Sequence, residues 1–301
     1  MTEITYHPGT AADSYSVFKL FEETLADLSR RLGSTEPTSW QDPAALEQMW
    51  QERRSLYEHL ACTAAHFWLA EKAGQIIGFG RSIRRDGMLE LTEFFVRPDQ
   101  QAQGVGYELL LRTFPAATGR RFIIASTDIP AQVRYLKAGV YPRFPIYYFW
   151  RTPAVTPVAT DLVFEPITAS PKILAALGKL DRGIIGHRRD LDHKWLLTQR
   201  QGYLYYRQRQ PAGYGYVGLR NGPFALLNPG DFPAVLAHAE NDAATNGRDH
   251  FGLEVPMVNQ AAVDYLLARN FRIDSFIAIF MSDLPFGRFE NYIVTSPPFF
   301  L

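Results

Sequence analysis

Cysteine is almost absent from these 301 residues. Cys62 stands alone, so no intramolecular disulfide can form and no cysteine-based zinc site can be assembled. Charge of one sign is missing as well. Acidic and basic residues balance at 31 each, which gives no electrostatic footprint for nucleic acid or an anionic membrane. No apolar run approaches the ~20 residues of a membrane span, and the N-terminus shows no basic-then-apolar signal. The seven histidines have no metal-ligand spacing, and neither Ser82 nor Ser126 sits in a Gly-x-Ser-x-Gly elbow. These absences predict a cytoplasmic protein that needs no metal and contacts neither nucleic acid nor membrane. Cys62, in Leu-Ala-Cys-Thr-Ala, is expected to be packed. What is abundant is apolar and aromatic material, 47% and 14% of the chain, enough for one large or two medium cores.

The most informative stretch runs from Leu89 to Leu111. Leu89 to Val96 has the apolar, aromatic content of a largely buried strand. Pro98 removes a backbone donor and stops it. Gln100 to Gln103 are polar, Gly104 and Gly106 bracket Val105, and Leu109 to Leu111 open an amphipathic helix. Free amides at a helix start, beside glycines that hold nothing away, suit a phosphate. A Walker loop would need Gly-Lys-Ser or Gly-Lys-Thr, and a dinucleotide fingerprint a third glycine. Gly106 is instead followed by Tyr-Glu-Leu.

Gln101-x-x-Gly104-x-Gly106, preceded by Val96-x-Pro98, closely resembles the pyrophosphate-binding motif of the GNAT acetyltransferase superfamily. The flanking pattern agrees. Ile4 to Tyr6 predicts a strand, Tyr15 to Leu32 and Ala44 to Leu60 helices around a Gly/Ser/Pro-containing segment from Gly33 to Pro43, and His66 to Ala70 and Gln75 to Ile83 a hairpin. After the motif, Arg121 to Ser126 predicts a strand, Ala131 to Gly139 a helix, and Phe144 to Trp150 a closing strand. Asp128 and Tyr135 resemble the asparagine and tyrosine of the family's second signature.

Arg151 to Thr160, with Pro153 and Pro157, reads as an extended linker. Beyond it the pattern repeats at an offset of roughly 130 residues. Strands are expected at 162–167, 203–207, 214–220, 224–227, 250–255 and 273–281. Helices are expected at 173–180, 191–200, 232–244 and 259–269. Asn259 matches the second signature, but Leu266 stands at the tyrosine position. The loop Asn228-Pro229-Gly230-Asp231 lacks paired glycines. Gly213-x-Gly215-x-x-Gly218 fits the dinucleotide pattern but sits in a hairpin arm rather than before a helix. His187-Arg188-Arg189-Asp190 reads as a solvated turn.

The resemblance implies an α/β (α+β) fold of two GNAT-like domains, each a mixed, mostly antiparallel sheet flanked by helices. Residues 1–150 would be the acetyltransferase domain, 151–160 the linker, and 161–301 a degenerate domain. It implies acetyl-coenzyme A as co-substrate, held by Phe94, Phe95 and Val96 and by Gln101, Ala102, Gln103, Gly104, Val105, Gly106 and Tyr107. The strand 94–96 would splay from 122–126. Tyr135 would protonate the departing thiolate, and Glu90 or Glu93 would serve as base. Strand alternation places Glu90 with Thr92, Phe94 and Val96, and Glu93 on the opposite face. A small-molecule amine is the expected acceptor, and a homodimer stays open. The competing reading is a non-catalytic acyl-coenzyme A module whose second half serves assembly or regulation.

Overall fold

The computed structural model describes residues 3–31, 33, 41–116 and 119–301. Most of the segment from Gly33 to Pro43, and the predicted helix end at Leu32, lie outside the described residues. Two compact units separate between Ile123 and Ile124, and each is a mixed α/β assembly of sheet and helices.

In the first unit the sheet order is β1-β2-β3-β4-β5. These strands are Ile4–Pro8, Ala64–Lys72, Gln75–Arg85, Met88–Val96 and Arg121–Ser126, the last crossing the unit boundary. The first four pair antiparallel. β4 meets β5 in parallel, over Leu89–Leu91 against Arg121–Ile123. Helices α1 (Ser14–Arg31) and α2 (Pro43–Cys62) carry the rings of Phe18, Trp50 and Tyr57, which meet edge-on or tilted at centroid separations of 5.3–6.1 Å. Helix α3 (Val105–Thr113) buries Val105 and Leu109 against Ala70, Ile77 and Val96. Each helix thereby hides one apolar stripe, the main source of helix stability in a folded chain. Cys62 ends α2 and is exposed, not packed. Leu60, two residues earlier, holds the buried side of that last turn, and Cys62 falls on the other side.

The second unit begins with α4 (Ile129–Lys137), capped by Asp128, whose carboxylate accepts from Ala131 N at 3.2 Å. Strand β6 (Tyr141–Arg151) lies between β12 (Arg272–Ser282) and β11 (Phe251–Pro256), antiparallel to both. α4 and β6, read from sequence with the first half, therefore fall in the second unit. Both edges of β6 are paired by strands more than a hundred positions later, and sequence alternation cannot name such partners.

A second sheet runs β13-β10-β9-β8-β7, all antiparallel. Its strands are Tyr292–Ile293, Phe224–Leu226, Gln210–Val217, Gln201–Arg207 and Val163–Pro166. Helices α5 (Pro171–Ile184), α6 (Asp190–Gln199), α7 (Phe232–Thr245) and α8 (Gln260–Ala268) complete the unit. The core gathers Phe149, Phe224, Phe232, Leu236, Phe251, Leu253 and Leu266. The segment 152–160 is extended but not loose. Ala154 N donates to Glu240 Oε1 at 3.0 Å and Thr156 N to Asn241 Oδ1 at 2.7 Å, both on α7. Gly213 and Gly215 lie within β9, away from any helix start.

The cluster His187 to Asp190 departs from its solvated-turn reading. His187 and Arg189 are each 1% exposed. Arg189 Nη2 donates to the Tyr214 hydroxyl at 2.9 Å, and its Nε lies 3.6 Å from Asp181 Oδ2. His193 Nε2 sits 2.7 Å from the same Asp181 oxygen, with Nδ1 2.8 Å from the Tyr216 hydroxyl. Buried charge survives because it is paired.

Asn259 pins two segments together. Its Oδ1 caps α8 by accepting from Ala262 N at 3.1 Å, and its Nδ2 donates to Tyr292 O at 3.1 Å. Asn259→Ala is expected to cost about 1–3 kcal/mol, the sum of a lost cap and an unsatisfied buried carbonyl. Chemical denaturation at constant m-value checks this.

Candidate functional site

The site builds outward from β4. Opposite β3, the register skips one position: Arg81 faces Glu93, but Ser82 faces Leu91. Thr92 is the extra residue, and its hydroxyl donates to Arg81 O at 3.0 Å. A bulge reverses the alternation on one side of itself. Glu93 pairs with Arg81 and Glu90 with Ile83, two residues further along β3. Both glutamates thus share a face, and the opposite-face assignment read from simple alternation is corrected. Phe95, on that same face, packs edge-on against Phe21 of α1 at 5.0 Å. Phe94 and Val96 turn toward α3.

Glu93 is tied to Arg81 through one carboxylate oxygen, while its buried Oε1 has no hydrogen-bond partner among the described residues. Its Oε2 accepts from Arg81 Nε at 2.5 Å and also contacts Nη2, and neither side chain is exposed. Arg81 Nη1 donates to Tyr57 O at 3.0 Å, and its guanidinium lies over the rings of Tyr57 and Phe67. Burial pushes the Glu93 carboxyl up, against the pull of Arg81. Glu90 is 4% exposed. The sequence carried a sign of this pair that went unread: a lone arginine in the apolar run Gly-Phe-Gly-Arg-Ser-Ile.

The ladder of β4 with β5 covers only Leu89–Leu91. The backbone of Thr92–Val96 continues beyond it toward the glycine loop. There a 3-10 turn at Pro98–Gln100 leads into Gln101–Gly104. Two glutamine side chains brace the loop from inside. Gln101 Nε2 donates to Val96 O at 3.1 Å, and Gln103 Nε2 to Asp99 O at 3.2 Å. Arg97 grips Asp99 through Nε at 3.0 Å and Nη2 at 2.8 Å.

Gly104 caps α3 in the left-handed region, at φ 86°, where a side chain costs free energy. A Cβ built there would meet nothing within 4 Å. The first-turn amides of α3, at Val105, Gly106 and Tyr107, have no intrahelical acceptors. They stand at the positive end of the helix dipole. Val105 and Gly106 are buried and Tyr107 is exposed. This arrangement of braced loop, open space and unpaired amides fits a pyrophosphate. Among the described residues, no group of His, Cys, Asp or Glu side chains could hold a metal ion. No described helix is long and apolar enough to cross a membrane.

In the second unit, Tyr135 of α4 is 4% exposed, and desolvation raises its hydroxyl pKa. Elsewhere in the second unit, the C-terminal segment joins β10 to β11. β13 pairs with β10, and Val294 bridges to Glu254 of β11, its N donating to Glu254 O at 3.0 Å. Asn291 Nδ2 donates to Leu226 O at 2.7 Å and Leu227 O at 3.1 Å. The loop that follows is a 3-10 turn at Pro229–Asp231, closed by Asn228.

Residues 35–139 match the family model described as an acetyltransferase (GNAT) domain. Solved structures share the fold at low identity. An acetyltransferase candidate from Pyrococcus horikoshii aligns over 96% of this chain and 92% of its own, at 14% identity and a TM-score of 0.72. A GCN5-related N-acetyltransferase from Sphaerobacter thermophilus aligns over 95% and 97%, at 12% identity and 0.60. A tandem GNAT protein from the clavulanic acid biosynthesis pathway aligns over 94% and 99%, at 14% identity and 0.55. A search of curated proteins gives no match. The chain thus carries a match to a GNAT acetyltransferase domain over residues 35–139, and along nearly its whole length it shares the fold of these solved structures.

Proposed function

We propose that the chain binds acetyl-coenzyme A at the loop 101–107 and transfers the acetyl group to a primary amine of a small molecule. The observation that carries this is Gly104: a left-handed cap with open space beside it, at the start of a helix whose first-turn amides have no partner within the helix. The backbone of Phe94, Phe95 and Val96, past the end of the β4–β5 ladder, is the proposed track for the pantetheine arm. The two repeats, 1–150 and 161–301, joined by 151–160, form a tandem in which only the first takes the co-substrate. The C-terminal segment paired along β10 supports that division. The setting is proposed to be cytoplasmic.

In the proposed reaction the neutral amine attacks the thioester carbonyl, a C–N bond forms, and the C–S bond breaks. The departing sulfur takes a proton from the Tyr135 hydroxyl, a transfer that is uphill to a thiolate of pKa ~8.5 and made more so by burial of the phenol, and Tyr135 regains its proton from solvent. Glu93 is held by Arg81, so Glu90 carries the proposed base role. Tyr135→Phe is expected to lower kcat roughly a hundredfold, with the KM for acetyl-coenzyme A unchanged. Steady-state thiol release checks both.

Calorimetric titration of acetyl-coenzyme A, beside a thiol-release assay on a panel of amines, tests the reading as a whole. Binding with release for one amine supports the transferase. No binding overturns it. The burial of Tyr135 and the locking of Glu93 favour one second reading, a non-catalytic acyl-coenzyme A module. Binding without release on any amine would establish that one instead.

A further inference from the structure

A negative charge sits in the loop that is proposed to take an anion. Asp99 belongs to the turn Pro98–Gln100, ahead of Gly104, and like charges repel. Its contacts give it another part. Arg97 donates to both carboxylate oxygens, Nε to Oδ1 at 3.0 Å and Nη2 to Oδ2 at 2.8 Å. Gln100 Nε2 donates to the same Oδ2 at 3.0 Å, and the Asp99 carbonyl accepts from Gln103 Nε2 at 3.2 Å. The side chains of Arg97, Gln100 and Gln103 thus all end on one residue. The Gln100 bond, with those of Arg97, holds the Asp99 carboxyl below the usual carboxylate range, so it is charged at neutral pH.

The cluster is tied to the β2–β3 hairpin on both sides of its turn. Lys72 and Gln75 pair across that turn. The residues between them, Ala73 and Gly74, take positive φ, 52° and 76°, as a tight hairpin connection demands. Lys72 Nζ donates to Gln100 Oε1 at 3.1 Å, and Arg97 Nη1 to Gln75 Oε1 at 3.3 Å. The Gln100 amide is therefore held at both ends, its oxygen on the ammonium and its nitrogen on the carboxylate. A flipped amide would face donor with donor and acceptor with acceptor. Every side-chain nitrogen of Arg97 has a protein partner, and its backbone N donates to Ile77 O at 2.9 Å. Asp99 is half exposed, where a single ion pair contributes little. A bidentate arginine within a network is the exception.

We propose that Asp99 is a positioning residue for acetyl-coenzyme A: it sets the loop 100–104 so that the first-turn amides of α3 meet the pyrophosphate, and it keeps Arg97 from the ligand. This role rests on the co-substrate reading given above. A loop set in advance spares the ordering cost that a slack one meets on binding. Removing the carboxylate therefore takes away a repelling charge, releases a cation, and still weakens binding. Charge alone requires the opposite sign.

The experiment is calorimetric titration of acetyl-coenzyme A into the full-length wild type, Asp99→Ala, Asp99→Asn and the double variant Arg97→Ala with Asp99→Ala. Asp99→Ala is expected to weaken binding about tenfold through lost preorganisation. Asp99→Asn keeps one accepting oxygen without the charge and is expected to fall between Asp99→Ala and wild type. The double variant is expected to match Asp99→Ala, because Arg97 acts through the same brace. Hydrogen exchange of the unliganded protein gives a second readout. The amides of Gln100 and Gln101, bonded to Arg97 O and Pro98 O, are expected to exchange faster in Asp99→Ala, with β1 to β4 unchanged. Wild-type binding that is equalled or exceeded in Asp99→Ala overturns the proposal alone. So does Asp99→Asn no better than alanine, a double variant far weaker than the single, or exchange that does not change. No binding by wild type overturns the co-substrate reading, and this role with it.

Discussion

Replacing Gly104 by glutamate is expected to weaken acetyl-coenzyme A binding several-hundredfold while leaving the protein folded. The two effects separate because of how Gly104 sits. No atom lies within 4 Å of a Cβ built there, so the new side chain displaces nothing. Its backbone cost is the left-handed strain of φ 86°, roughly 1–2 kcal/mol. The loop is braced elsewhere, by Gln101 on Val96 and Gln103 on Asp99, so the strain stays local. The carboxylate, however, enters the space proposed for a pyrophosphate. Two unit charges 4 Å apart repel by about 4 kcal/mol at an effective dielectric of 20, and salt screening trims this. Gly104→Ala separates the causes, because it adds the strain without the charge. Less than a tenfold loss is expected for alanine, by calorimetry on both variants. Equal losses would show that backbone geometry, not charge, governs the loop.

The second large effect falls on stability. Glu93→Ala is expected to cost about 3–5 kcal/mol, because it strands a guanidinium that has no exposure at all. Arg81 would keep Tyr57 O and the faces of Tyr57 and Phe67, which do not replace a carboxylate. Substituting both partners, Arg81→Met with Glu93→Leu, removes the charges together and is expected to come within about 1 kcal/mol of the parent or above it. Urea unfolding of the two single variants and the double gives the coupling energy directly. If the single variant costs under 1 kcal/mol, the pair is not the structural anchor of this face. Glu93 would then return as a candidate base.

These residues also show what the sequence could and could not reveal. The strand, proline, paired glycines and helix of 89–111 are local features, and local features are legible because a strand and a helix cap are made by neighbours. The strands and helices of 162–281 were legible for the same reason. The face shared by Glu90 and Glu93 was not. It depends on Thr92 being skipped in the pairing with β3, and a bulge leaves no mark in alternation. Arg189 looks solvated as a letter because the hydroxyl it meets, that of Tyr214, lies 25 residues away on β9. Nor did any pattern mark the strands that flank β6.

That placement of β6 has a consequence during synthesis. The strand is complete at Arg151, yet its partners end at Pro256 and Ser282. At ~5–20 residues per second, the ribosome needs roughly 7–26 s to deliver the last of them. Over that interval β6 is a nascent strand with both edges bare, the condition under which chains stick to one another. Pro142 and Pro145 lie in its first half, and Arg143 between them. Prolines have no donor to offer a foreign strand, and a charge opposes stacking. Residues unusual in a doubly paired strand thus double as gatekeepers, guarding it until the chain's own late segments arrive.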